Sequence, residues 1–271
     1  MIRKLYPGGK ARAFNITYDD GVLQDIPFVS LLNRYGLKGT FNLNSGLMEQ
    51  EFAWEHPSGA LIRRLPTAAV SRLYEGHEVA SHTVTHPYMQ GLSRDEMMYQ
   101  LGQDKAALEA LTGREIRGFA VPFDWYSDEI AQCAAACGFE YARTSQERYC
   151  YTPPGDYFHW AAGAYHIMPG FWHFAERFFQ AEEELALCQI VGHSYDLDTE
   201  RMWQRMEALL KRVAEDPDTL SMTNLELVRY LKAMDQAVIT TQRIENPSGQ
   251  TLWFSRDGHV FSLAPGGILP L

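Results

Sequence analysis

The chain has 271 residues, of which 46% are hydrophobic and 21% charged, so it can bury a full core without disulfide or metal crosslinks. Its formal net charge of −10 argues against a protein that binds nucleic acid through clustered Lys and Arg. No apolar run reaches signal-peptide length or the roughly 20 residues of a membrane span, so we expect a soluble, cytoplasmic protein without a membrane partner. The four cysteines form no C-x-x-C pair and are predicted to be reduced thiols.

Short β-type runs alternate with helical periods along most of the chain, which predicts an α/β fold, a parallel (β/α) barrel. The seven candidate strands are 12–18, 38–44, 78–81, 116–121, 139–144, 187–192 and 219–223. Two helix starts carry the S/T-x-x-E capping pattern, Ser93 with Glu96 and Thr223 with Glu226. We expect these elements to form one barrel domain over residues 1–235.

After residue 235 the pattern changes to short β runs separated by the turn-forming segments ENPSG and RDG. This predicts a small β extension over residues 236–271 that packs on the barrel.

Two adjacent carboxylates, Asp19 and Asp20, follow the first strand and precede Gly21, which permits a tight turn. In a (β/α) barrel the carboxyl ends of the strands converge on one mouth. Because successive side chains point to different sides, one aspartate can bind a cation while its neighbour faces the reacting water. The alternative is an ordinary surface turn.

Two histidines, His82 and His86, follow the strand at 78–81 with i, i+4 spacing. That spacing brings both imidazoles to one metal if the segment forms a helical turn, although it also arises by chance. Two histidines and one carboxylate leave a coordination position open for water, as in catalytic metal sites.

A third histidine, His193, follows the strand at 187–192, where a proton donor could face the metal. Asp196 and Asp198 are near enough in sequence to orient it. The alternative is a structural histidine.

Four ordered segments resemble the motifs of the polysaccharide deacetylases, carbohydrate esterase family 4. They are T-Y-D-D-G at 17–21, H-E-V-A-S-H-T-V-T-H-P at 77–87, A-V-P-F at 120–123 and G-H-S-Y-D at 192–196. The resemblance covers roughly residues 12–233 and implies a distorted (β/α) barrel.

By this resemblance, Asp19 is the general base and His193 the general acid. The metal ligands are Asp20, His82 and His86. The family also implies that the backbone N–H of Phe123 helps to stabilise the oxyanion. The ligand set suits zinc first, with cobalt or nickel also compatible.

The chain departs from the family at two motifs. The third motif, R-x-P-[YF], has Ala120 in place of the arginine that holds the base. Without a substitute cation, we expect the acid limb of activity to lie at higher pH. Arg143, at the end of the next candidate strand, is the candidate substitute; a surface role is the alternative.

The fourth motif, D-x-x-D-W, has no clear counterpart. Asp156 and Trp160 are the nearest candidates, and packing is the expected role of the tryptophan.

These observations predict a metal-dependent hydrolase that removes an acetyl group from an N-acetylated sugar or polysaccharide. Two alternatives remain open: a deacylase or amidohydrolase of a small non-glycan amide, and a catalytically silent carbohydrate-binding protein. Trp125 and Tyr126, just past Phe123, are the candidate aromatic contacts for a sugar, with ordinary packing as their alternative. The oligomeric state is left open.

Overall fold

A computed structural model of the chain describes residues 2–49, 51–144, 146–161 and 163–271. The strands in these ranges are β1 (Ile2–Leu5), β2 (Arg12–Asp19), β3 (Thr40–Leu43), β4 (Ala53–Glu55), β5 (Leu61–Arg63), β6 (Glu78–Ser81), β7 (Gly118–Ala120), β8 (Tyr141–Arg143), β9 (Ala164–Tyr165), β10 (Ala186–Gly192), β11 (Thr219–Ser221), β12 (Val238–Ile239), β13 (Arg243–Glu245), β14 (Leu252–Arg256), β15 (His259–Leu263) and β16 (Ile268–Pro270). The α-helices are α1 (Asp25–Arg34), α2 (Thr67–Leu73), α3 (Arg94–Thr112), α4 (Asp128–Ala136), α5 (Phe171–Arg177), α6 (Asp196–Thr199), α7 (Trp203–Glu215) and α8 (Asn224–Asp235).

A curled parallel sheet forms the centre of the molecule and confirms the predicted distorted (β/α) barrel. In the described residues, its main path holds seven strands in the order β8-β7-β6-β3-β2-β10-β9. β11 lies off this path and pairs with the first half of β2, whereas β3 pairs with the second half. All of these pairings are parallel, so the carboxyl ends of the strands meet at one edge.

The sequence of β2 and β10 explains their central position. Every residue of β10 is buried, and in β2 only Arg12 is not, which is the pattern of parallel strands covered on both faces. Helices pack over the sheet, and three of the described ones, α3, α4 and α8, begin with a side-chain cap. Ser93 at α3 and Thr223 at α8 both form the predicted capping boxes with their glutamates. No helix of the described ranges is both long and apolar enough to cross a membrane.

The membership of the sheet differs from the prediction in one strand. All seven predicted strands are present, but β9 was not predicted and takes a place on the main path beside β10. It is only two residues long, Ala164 and Tyr165, which is too short for an alternating pattern. The sheet edge, rather than local sequence, determines that this segment is extended.

The hairpin β4–β5 was also not predicted, and it is joined to the turn that follows β2. The Leu23 N–H donates to Arg63 O at 3.0 Å, and the Leu65 N–H donates to Gly21 O at 2.8 Å. The hairpin therefore lies directly against the turn that carries Asp20.

The C-terminal strands form two small antiparallel sheets, β1-β14-β15 and β12-β13-β16. The predicted β runs after residue 235 are thus present, and β1 from the N-terminus joins them. Apolar side chains of these strands, including Phe254, share a buried cluster with Leu227 of α8. The domain boundary at residue 235 stays a prediction, with the added observation that β1 pairs across it.

Candidate functional site

The carboxyl ends of the central strands surround a cavity of about 450 Å³. This volume is within the usual range of small-molecule sites. The described residues that line it are Asp19, Asp20, Trp54, Arg64, His82, His86, Val121, Phe123, Asp124, Tyr165, Gly192, His193 and Tyr195. The structure therefore brings all five predicted catalytic and metal-binding residues to one cavity.

Asp20, His82 and His86 are close enough together to hold one cation. Each offers a ligand atom, and these atoms lie within 4.8 Å of one another. Asp20 Oδ1 is buried and accepts no hydrogen bond from the described residues, although Arg64 Nη1 lies 3.0 Å from it. Two imidazoles and a carboxylate oxygen that accepts no hydrogen bond fit a divalent transition metal with an open position.

A loop, not the expected helical turn, brings the two histidines together. Residues 82–88 form no helix within the described range 51–144, and Thr83 and His86 both have positive φ, 70° and 53°. Asn44 holds the loop by donating to the carbonyls of His82 and Thr83. The ring centroids of His82 and His86 are 4.7 Å apart, so the prediction of proximity was right and its helical explanation was wrong.

The tautomer of His82 is set by a backbone carbonyl on the neighbouring strand. His82 Nδ1–H donates to Ala120 O at 2.8 Å, which leaves Nε2 free to bind a cation. Burial lowers the pKa of His82 to about 4 and also lowers the pKa of His86. Both rings are therefore neutral at pH 7, which is the form that binds metal.

Asp20 also has a cationic neighbour, Arg64, that was not predicted from the sequence. Arg64 Nη1 lies 3.0 Å from Asp20 Oδ1 and donates to Asp20 O and to Asn44 Oδ1. Burial by itself would raise the pKa of Asp20, but Arg64 and the three histidines hold it well below its usual range. The carboxylate is therefore ionised and ready to bind a cation.

Arg143 supplies a guanidinium beside Asp19 in place of the missing arginine. It is fully buried, which excludes the surface role, and its Nη2–H donates to Asp19 Oδ1. Arg143 and Ala120 are register partners on the adjacent strands β8 and β7. The guanidinium therefore comes from the strand next to the one that carries the arginine in the family motif, and it still reaches Asp19. Asn42 donates to the same oxygen at 2.8 Å, so both partners fix the orientation of the carboxylate.

His193 lies on the other side of Asp20, with its Nε2 3.7 Å from Asp20 Oδ2. Asp196 is its carboxylate partner. Asp196 Oδ2 lies 3.2 Å from the ring atom His193 Nδ1 and accepts a hydrogen bond from the backbone N–H of His193 at 3.0 Å. Asp198 is not involved; it accepts from Trp203 Nε1–H at 2.7 Å.

Tyr165 of β9 completes this group. Its O–H donates to Asp196 Oδ2 at 2.9 Å, and its oxygen lies 2.7 Å from His193 Nδ1. Burial favours a neutral His193 ring, but the hydrogen bond with Asp196 and the nearby carboxylates raise the pKa of His193 to about 9. A protonated ring facing the cavity is the form that a general acid requires.

The fourth-motif candidates lie elsewhere. Asp156 accepts from His159 Nδ1–H at 2.6 Å on an exposed loop. Trp160 is buried against Tyr141, with ring centroids 5.6 Å apart, so its predicted packing role is confirmed. Asp196, and not Asp156, is therefore the carboxylate partner of His193.

The aromatic residues at the mouth are only partly those expected. Phe123 lines the cavity, whereas the described lining residues do not include Trp125 or Tyr126. Trp125 is exposed, and Tyr126 packs on His159 with ring centroids 4.1 Å apart. Trp54 and Tyr195 line the cavity instead, with Tyr195 stacked on His193 at 4.7 Å. Substrate contact by Trp125 or Tyr126 stays a prediction.

This arrangement defines a class of protein, an α/β barrel with a candidate Asp-His-His cation site between a tethered carboxylate and a carboxylate-bound histidine. The chain belongs to the polysaccharide deacetylase family, whose sequence model matches residues 7–142.

Similar proteins agree with this assignment. A chitooligosaccharide deacetylase of Azorhizobium caulinodans is 30% identical over 118 residues, which are 42% of this chain and 50% of that protein. The chain spans about half the length of the curated relatives it matches, with 50% and 46% covered in two of them.

Solved structures show the same fold. The Xyl-CE4 domain of a multidomain xylanase from the hindgut metagenome of Trinervitermes trinervoides superposes with a TM-score of 0.55 at 16% identity, covering 82% of this chain and 91% of that one. A carbohydrate esterase family 4 pseudoenzyme from Bacillus anthracis gives 0.51 at 18% identity, covering 83% and 68%. Because a pseudoenzyme shares the fold, activity must be argued from the site.

Proposed function

We propose that this protein is a metal-dependent deacetylase that removes the acetyl group from an N-acetylated sugar or polysaccharide. One observation carries the proposal: a cation site, a tethered carboxylate and a carboxylate-bound histidine line the same cavity. The family supports deacetylation, and the name of the matched relatives supports an N-acetylated oligosaccharide as the substrate.

Asp20, His82 and His86 would hold the cation, with zinc as our first expectation and cobalt or nickel also compatible. A divalent ion supplies polarisation of a carbonyl and a lowered pKa of water. Arg64 offsets part of the negative charge of Asp20 in this site.

The remaining chemistry belongs to the chain itself. Asp19, fixed by Arg143 and Asn42, accepts the proton of the attacking water. By the family resemblance, the backbone N–H of Phe123 stabilises the charge that develops on the acetamide oxygen. His193, held by Asp196 and Tyr165, donates a proton to the departing amine. The products are acetate and a free amine.

A substrate panel with the metal-loaded protein tests this proposal. We expect acetate release from N-acetylglucosamine oligomers and little turnover of simple amides and imides. Turnover confined to the simple amides or imides would favour the small-amide hydrolase instead. Binding of the oligomers without acetate release, in protein shown to be fully loaded with metal, would favour the silent carbohydrate-binding protein.

A further inference from the structure

Two aromatic rings lie stacked and exposed beside the cavity. Tyr88 is 64% exposed and Phe123 is 48% exposed, and their rings are stacked with centroids 3.9 Å apart and planes 11° apart. Large apolar side chains that share an exposed patch next to a cavity often mark a binding surface.

The backbone places this pair directly beside the cation site. Tyr88 is two residues after His86, and the Phe123 ring lies 4.4 Å from the His86 ring. Phe123 lines the cavity, whereas Tyr88 is outside its described lining. The stack therefore runs from the edge of the cavity outward onto the surface.

The turn that carries the exposed Phe123 ring is strained. Phe123 and Asp124 are consecutive non-glycine residues with positive φ, 55° and 62°. Each such residue costs on the order of 1–3 kcal/mol, and strain of this kind is concentrated at functional sites. The turn aims the Phe123 ring at Tyr88 rather than into the core.

We propose that Tyr88 and Phe123 form an aromatic platform that binds the sugar unit next to the one being deacetylated. This inference rests on the proposed function and narrows its substrate class to N-acetylated oligosaccharides. A pyranose ring presents an apolar C–H face that packs on an aromatic face. The two rings already hold each other in place, so little side-chain entropy is lost when a sugar binds.

Tyr88 has a competing structural role, because it could serve only to hold Phe123 in its strained turn. The two roles differ in their dependence on substrate length. A support for the turn would affect all substrates equally, since the Phe123 N–H acts on every acetamide. A platform for the neighbouring sugar affects only substrates that have a neighbouring sugar.

The test compares N-acetylglucosamine with its tetramer in the metal-loaded protein. We expect Tyr88→Ala to lower the ratio of kcat/KM for the tetramer to that for the monomer by about tenfold, mainly through KM. Tyr88→Phe keeps the ring and should retain most of that ratio. Tyr99→Ala is the matched control, because Tyr99 is 60% exposed on α3 and does not belong to the described cavity lining.

A fall in kcat that is equal for both substrates would overturn the platform and support the structural role. A second arm measures binding of the tetramer by titration calorimetry, with thermal unfolding of each variant as the check on folding. If no N-acetylated sugar is hydrolysed, the proposed function fails. The calorimetric binding data then test the platform independently of catalysis. Tetramer binding that is about tenfold weaker in Tyr88→Ala than in the wild type supports the platform. Equal binding by the two proteins, or no binding by the wild type, overturns it.

Discussion

The hydrogen bonding of buried carboxylates differs between the two ends of the barrel. At the amino end, Glu78 accepts hydrogen bonds from the Leu225 N–H at 2.8 Å, from Thr40 Oγ1–H at 3.0 Å and from Tyr141 O–H at 2.8 Å. These donors come from α8, β3 and β8, so this carboxyl links three elements. At the carboxyl end, Asp20 Oδ1 is buried and lies 3.0 Å from Arg64 Nη1, but it accepts no hydrogen bond from the described residues.

Five of the ten non-glycine residues with positive φ in the described ranges lie in the loops at the carboxyl end. Asp20 has a φ of 84°, and positive φ recurs in the loop that carries His86 and in the turn that carries Phe123. A protein that only had to be stable would satisfy Asp20 as it satisfies Glu78. The comparison indicates that the amino end serves stability and that the carboxyl end is arranged for a ligand.

The strongest test of this comparison removes a predicted metal ligand. We expect the purified protein to hold about one divalent ion per chain, and His82→Ala or His86→Ala to remove most of it. Loss of an outer-shell partner costs roughly 10–100-fold in affinity, so loss of one of three direct ligands should cost more. Metal analysis by mass spectrometry measures this. His159→Ala, at an exposed histidine paired with Asp156, is the control. Unchanged metal content in both ligand variants would reject the site.

Asp19→Asn separates catalysis from metal binding. The amide cannot accept the proton of water, so we expect turnover to fall about 10²–10⁴-fold while metal content is retained. Steady-state kinetics and metal analysis on the same sample provide both numbers. Substantial turnover in a metal-loaded variant would show that Asp19 is not the base.

Arg143→Ala tests whether the displaced cation holds the base. Because Arg143 and Asp19 are both buried, its removal leaves a carboxylate without its charged partner. We expect turnover to fall about tenfold or more and the free energy of unfolding to fall as well.

Ala120→Arg, added to Arg143→Ala, tests whether a guanidinium from the neighbouring strand restores activity. Since Ala120 and Arg143 are register partners, Ala120→Arg places a guanidinium one strand away, in the space that Arg143→Ala vacates. Partial recovery of turnover in this double variant is expected. Full turnover in Arg143→Ala alone would mean that Asp19 needs no cation.

The strands and the proximity of the candidate metal ligands were predictable because their signals are local in sequence. Runs of apolar residues marked β2 and β10, and the polar residues after each strand marked the mouth. The same reasoning selected Arg143, because parallel strand ends converge whichever strand carries the residue. Asp196 could be selected as a partner of His193 because it is only three residues away.

Tyr165, Arg64 and the β4–β5 hairpin could not be predicted in this way. β9 has two residues, and its extended form depends on pairing with β10, which is distant in sequence. Arg64 reaches Asp20 only because the hairpin packs on the turn after β2. The helical explanation of the histidine pair failed because positive φ at Thr83 and His86 breaks the helix. Side-chain spacing predicts proximity for several backbone conformations and does not distinguish them.

Tyr165→Phe is expected to have a smaller effect than the changes above. It removes the O–H that donates to Asp196, while Asp196 still lies 3.2 Å from His193 Nδ1. We therefore expect kcat to fall by about tenfold or less, with KM nearly constant, because a proton donor acts chiefly in the transition state. Tyr149→Phe, at an exposed tyrosine whose O–H donates to Glu147, controls for loss of a hydroxyl. A rise in KM at constant kcat would instead make Tyr165 a substrate contact.

Glu78→Gln tests the amino end, where the expected effect is on stability and not on turnover. Burial raises the pKa of Glu78 to about 7, despite the hydrogen bonds from Leu225, Tyr141 and Thr40 that favour its ionised form. The folded state therefore keeps a proton that the unfolded chain releases near pH 4.5. The contribution of this group is fully present below that pH and is lost as the pH rises through about 7.

The glutamine cannot ionise, so the fall in the free energy of unfolding between pH 4.5 and 7 should be smaller in Glu78→Gln than in the wild type. The expected difference is on the order of 1–3 kcal/mol, since one pKa unit corresponds to about 1.4 kcal/mol. Urea unfolding at a series of pH values measures it, and kcat at neutral pH should stay within about twofold because the carboxyl end is unchanged. Parallel pH profiles for the two proteins would show that Glu78 does not release its proton differently on unfolding. A large loss of turnover without a loss of stability would break the division of roles between the two ends of the barrel.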